Sequence, residues 1–102
     1  MKKYELLRLA VSGCPELSPH IRLRLPPAAT DEQLLRVHAP EYVEALKIGQ
    51  LERRIERGIG FPYSPALLER SRRSVGATLA AGRSALRDGV AVNLAGGTHH
   101  AF

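Results

Sequence analysis

His99 and His100 are the residues of greatest chemical weight in this sequence. Imidazole is the side chain whose unperturbed pKa lies nearest neutrality, so it serves as general acid or base. The pair follows Gly96-Gly97-Thr98, and glycines let a backbone approach a ligand closely. Adjacent imidazoles in that setting suggest a proton-transfer pair. The alternative is two ordinary polar loop residues, and spacing alone does not decide between them. A metal site complete within the chain is not expected. Zinc takes three or four ligands, usually His, Cys or carboxylate. Neighbouring histidines rarely chelate one ion together, and Cys14, His20, His38 and Asp88 are scattered, without HxxxH or CxxC spacing. His38, just before Ala39-Pro40, reads as a helix-terminus or packing histidine. Cys14 reads as an inert thiol, and Thr98 as a residue that orients a histidine or caps the turn.

The elements that must carry the pair can be read backwards from it. Val90-Ala-Val-Asn-Leu94 is nearly continuous in apolar residues, the pattern of a strand buried on both faces. The histidines would then sit past the carboxyl end of a strand, where open α/β sheets gather their ligands. Before it, Ser64-Pro65 is a strong helix start, with Ser as N-cap and Pro at the first helical position. That helix is expected to run to Asp88 and stop at Gly89, with Leu68, Val75, Leu79, Gly82 and Leu86 on one face. Its small residues, Gly76, Ala77, Ala80 and Ala81 among them, permit close packing. A long helix leading into a strand is one turn of an α/β layer fold.

Upstream, residues 3–12 read as a helix with Tyr4, Leu7 and Val11 on one face, ended by Ser12-Gly13 and Pro15. Ile21-Arg-Leu-Arg-Leu25 alternates with period two and predicts a short strand with one wet face, stopped by Pro26-Pro27. Thr30-Asp-Glu-Gln33 is a capping box opening a helix over 31–38. A further helix is expected near 41–48 and a short charged one over 50–57. Gly58–Tyr63 reads as a loop.

With 102 residues the chain suffices for one modest domain, burying roughly 65 per cent of its unfolded surface. Its 44% hydrophobic and 25% charged content is that of a globular protein and argues against disorder. The net charge of +5, carried mostly by arginine, is interleaved with Glu: Arg53, Arg54 and Arg57 beside Glu52 and Glu56, and Arg70, Arg72 and Arg73 beside Glu69. That pattern reads as solvated helix faces. There is no Trp and no aromatic-basic alternation, so nucleic acid is not an expected partner. The single Cys14 excludes an intramolecular disulfide and fits a reducing, cytoplasmic setting. No secretory leader and no membrane span is expected.

Several stretches resemble, in order, the amino-terminal portion of the histone deacetylase superfamily, in its bacterial, class IV-like and acetoin-utilisation-type branches. They are Lys3–Arg8, Ala29–Val43, Ile59–Pro65, Arg70–Gly76 and Ala91–Phe102, and the last, with Gly96-Gly97-Thr98-His99-His100, is the specific one. The resemblance implies an α/β fold, the amino-terminal part of a three-layer arginase–deacetylase architecture with a parallel sheet, helix-rich in this region. Residues 1–102 would form a single partial domain. It implies a zinc-dependent hydrolase acting on acetylated lysine or an acetylated small amine. Zinc would polarise the amide carbonyl and water would attack it. By position, His99 matches the general base on the attacking water and His100 the group that helps protonate the leaving amine, the two titrating as a coupled pair.

The family's zinc ligands, an Asp and a His close together and a later Asp, fall after the His pair, as does its transition-state tyrosine. Tyr4, Tyr42 and Tyr63 precede the pair and do not match it, and no Asp or Glu follows Asp88. The family also usually has a first strand and an Arg-containing loop ahead of the segment that begins here. This chain alone is therefore expected to hold no zinc and to be inactive, needing the remainder of a catalytic domain. The competing expectation is a small stand-alone helical module without catalysis that binds a partner or self-associates, its histidines incidental.

Overall fold

The computed structural model describes residues 2–50, 52–54, 57 and 63–96. Helix α1 spans Lys2–Ser12 and ends where Gly13 N–H donates to Leu9 O at 2.9 Å. A single 3-10 turn, Ser18–His20, follows. Helix α2, Asp31–Leu35, opens on the expected capping box: Thr30 Oγ1 accepts from Gln33 N–H at 3.2 Å, and Thr30 N–H donates to Gln33 Oε1 at 2.9 Å. It is shorter than the expected 31–38. Pro40 disfavours helical backbone in the residue before it, and Ala39 is extended at φ −62, ψ 140.

Pro40 is the first residue of α3, Pro40–Ile48. This helix closes on Gly49, whose φ of 74 is left-handed. Gln50 N–H donates to Ala45 O at 2.9 Å and Gly49 N–H to Leu46 O, the paired pattern of a Schellman cap. Helix α4, Pro65–Asp88, begins as the sequence predicts, with Ser64 Oγ accepting from Leu67 N–H at 3.0 Å, and ends at Gly89 with φ 97.

Helix α3 packs against both α2 and α4. The buried apolar residues are Ala29 and Val43, among those described. Ala29 joins the 26–29 segment to α4: its N–H donates to Arg72 O at 2.8 Å, and its own carbonyl accepts from Arg72 Nη1 at 3.1 Å. Gly76, the buried residue of α4, makes this approach possible. A Cβ there would collide with Pro27 O and lie 3.0 Å from Ala29 N.

The two expected strands are not formed among the described residues, and the structure is helix-rich with no sheet. The physical reason is pairing. A strand is held by ladder hydrogen bonds to a neighbour, and among the described residues neither 21–25 nor 90–94 has one. The expected apolar face of α4 also differs. Leu68 is half-buried, but Val75, Leu79 and Leu86 are exposed, and the covered side carries Arg72 and Gly76. The accessible surface is 8350 Å², against about 5700 Å² for a compact monomer of this mass. The radius of gyration is 15.7 Å, where about 13 Å is usual. Among the described residues, Leu25, Val37, Leu86, Val90 and Val92 remain largely uncovered.

Candidate active site

The residues that would do chemistry, His99 and His100, lie outside the described residues, as does Gly97. Of the expected 50–57 helix, Arg53, Arg54 and Arg57 are helical and residues 51, 55 and 56 lie outside the described residues, as does all of the expected 58–63 loop but Tyr63. What the structure describes is the stem from which the pair departs. Residues 90–93 leave α4 without regular structure, turn at Leu94-Ala95 and reach Gly96, which is exposed. A Cβ on Gly96 would meet only Asn93, at 3.9 Å and beyond, and its backbone is not left-handed. Nothing local to Gly96 therefore demands glycine, which leaves its freedom available for contacts of another kind.

Asn93, which no sequence motif singled out, ties this stem to α4. Its Nδ2 donates to Ser74 O at 3.1 Å and to Thr78 Oγ1 at 3.0 Å, while Oδ1 accepts from Ala95 N–H at 3.0 Å. Ser74 Oγ donates to Ala95 O at 3.0 Å. The available signal was one amide in an otherwise apolar run, together with Ser74 and Thr78 four residues apart on one helix face.

A second polar cluster joins the helices. Asp31 receives Lys47 Nζ on Oδ2 at 2.8 Å and Arg72 Nη2 on Oδ1 at 2.5 Å. These bonds, Lys47 foremost and then Arg72, hold the Asp31 carboxyl below its usual range, and the bond to Asp31 raises Lys47. Arg72 is thus not part of a solvated face: its side chain is 17% exposed. Arg73 Nε pairs with Glu69 at 3.0 Å and Nη1 donates to Pro26 O. Arg53, Arg54 and Arg57 are exposed as expected. Arg70 stands 5.3 Å over the Tyr4 ring, linking α4 to α1.

The other candidate ligands stay apart. Cys14 Sγ lies 3.5 Å from Glu16, His38 packs its ring 5.5 Å from that of Tyr42, and Asp88 pairs with Arg87. Among the described residues no group of three or more His, Cys, Asp or Glu side chains converges, so they do not fit a zinc ion. Among them, too, no helix is long and apolar enough to cross a membrane.

A family model for the histone deacetylase domain matches residues 1–102. The chain is also similar to an uncharacterized protein of Picosynechococcus sp., at 46% identity over 66 residues, 65% of this chain. That match covers 22% of the relative, so the chain spans about a fifth of the length of the curated relative it matches.

Proposed function

The chain belongs to the histone deacetylase family, and on that premise we propose that it supplies the proton-transfer segment of a zinc-dependent hydrolase that removes acetyl groups from lysine side chains or small amines. The observation that carries the reading is the family match over residues 1–102, which takes in Gly96-Gly97-Thr98-His99-His100. His99 would take a proton from the attacking water and His100 return one to the departing amine nitrogen. An imidazole with a pKa of about 6.5 can do both near neutrality. Gly96 and Gly97 would let the backbone run close to the acyl group. Zinc belongs to the complete catalytic domain in this reading. The described residues gather no ligands for it, and the proton chemistry is what this chain contributes. The remainder of that domain would cover the exposed apolar side of α4 and the 90–94 segment, and the setting would be the cytoplasm.

The test is turnover of an acetyl-lysine peptide and of acetylated small amines by the intact zinc-loaded protein. His99→Ala and His100→Ala are each expected to lower kcat by about 100-fold or more. A protein that turns over neither substrate, or variants that keep the full rate, would overturn the reading. The 102-residue chain by itself is expected to show no turnover and to retain no stoichiometric zinc after dialysis.

One observation favours a self-associating helical module instead. Leu86, Val90 and Val92 are exposed together around the end of α4, and larger apolar patches mark interaction surfaces.

A further inference from the structure

Both polar backbone groups of Ala95 are held by side chains. Its N–H donates to Asn93 Oδ1, and its carbonyl accepts from Ser74 Oγ, each at 3.0 Å. The Asn93 amide spends its two Nδ2 hydrogens on α4, on Ser74 O and Thr78 Oγ1. Thr78 Oγ1 in turn donates to Ser74 O at 3.2 Å. The result is a closed ring of five hydrogen bonds that fixes residues 93–95 against one turn of α4. Only a side chain with donors and an acceptor on one planar group completes it. Aspartate would keep the bond from Ala95 N–H but set an oxygen against the Ser74 carbonyl, and alanine would lose every bond.

The ring matters because of its place in the chain. His99 lies four residues after Ala95. Four residues extend at most about 14 Å, so fixing Ala95 to a 24-residue helix restricts where both imidazoles can reach. We infer that Asn93, with Ser74 and Thr78, is a positioning residue for His99 and His100, holding the stem of their segment in one register on α4. This rests on the reading of His99-His100 as the proton-transfer pair. The chemistry needs that stiffness, because misplacing a reacting group by about 1 Å can cost on the order of 100-fold in rate.

The experiment uses the intact protein with labelled histidine rings and compares Asn93→Ala, Ser74→Ala and Ser74→Thr. Residues 1–102 hold four histidines, of which His20 and His38 serve as internal references. Asn93→Ala and Ser74→Ala are expected to move the ring signals of His99 and His100 while leaving those of His20 and His38 in place. They should lower kcat by about 10- to 100-fold with KM nearly unchanged. Ser74→Thr keeps the hydroxyl and is expected to restore both the ring signals and kcat. Ser74→Ala removes one half-buried hydroxyl and raises helix propensity, so it tests the inference even where Asn93→Ala unfolds. Unmoved His99 and His100 signals in a folded Ser74→Ala protein would overturn it, whatever the change in thermal midpoint. Absence of turnover in the unsubstituted protein would sink the deacetylase reading instead, and the ring signals alone would then decide the positioning role.

Discussion

Arg72 Nη2 lies 2.5 Å from Asp31 Oδ1, so a residue in the second turn of α4 is bound to the first residue of α2. The other carboxylate oxygen of Asp31 holds Lys47 near the end of α3. One carboxylate thereby ties three helices whose shared apolar core is small.

The pair makes stability depend on pH with a definite sign. The folded pKa of Asp31 is depressed, so between the folded and unfolded values the unfolded chain binds more protons, and stability rises with pH there. The Asp31 contribution is complete above the unfolded value of about 3.9 and is lost as pH falls through the lower, folded one. Lys47 is raised, so its contribution is complete below about 10.4 and is lost as pH rises through the folded value. Asp31→Asn is expected to melt below wild type by a constant margin across the neutral range. That margin should close in acid and narrow in alkali, where Arg72 stays charged. Melting followed by circular dichroism checks this, and a margin that persists unchanged at pH 3 would refute it.

Two glycines of α4 should answer oppositely to the same substitution. Gly76→Ala places a methyl group against the Pro27 carbonyl, a backbone atom that cannot rotate away. The expected cost is about 1–3 kcal/mol. Gly82→Ala meets nothing within 4 Å and removes a poor helix former, with an expected gain of about 0.5–1 kcal/mol. Urea denaturation of the two variants measures both signs. Equal effects would mean that α4 does not approach the 26–29 segment as described.

What the sequence made readable follows the reach of each signal. The Thr30–Gln33 box, Ser64-Pro65 and the Gly89 stop are decided within one helical turn, and all three are found. The 21–25 and 90–94 strands needed partners that local alternation cannot supply. Arg72 looked solvent-facing because its neighbours are charged, while its true partner lies at Asp31, beyond any local window. At the site, His99 and His100 could be named from a family resemblance, and the Asn93 ring could not, because it depends on which turn of α4 the stem meets.

The two side-chain caps give a further test. Thr30→Ala removes the hydroxyl that accepts Gln33 N–H, and Ser64→Ala the one that accepts Leu67 N–H. Each is expected to cost about 1 kcal/mol, and Ser64→Asp should retain most of the stability. Ser64 precedes Arg72 by about 12 Å of helix, so the caps share no partner and the double variant should be additive to within about 0.5 kcal/mol. Clear non-additivity would show that α2 and the start of α4 form as one unit.

The last prediction concerns the uncovered surface. Leu86 is 92% exposed, Val90 77% and Val92 74%, and burying one such side chain is worth about 1.5–3 kcal/mol. The 102-residue chain in isolation should therefore bind an apolar dye and associate as its concentration rises. Leu86→Lys with Val92→Lys should suppress both. These side chains touch little within the chain, so the helical signal should be kept, with stability changed by no more than about 0.5 kcal/mol for each. Light scattering across a concentration series decides it. A chain that stays monomeric and binds no dye would mean that Leu86, Val90 and Val92 do not form an adhesive face, and would leave neither a catalytic-domain partner nor a second copy with a surface to occupy there.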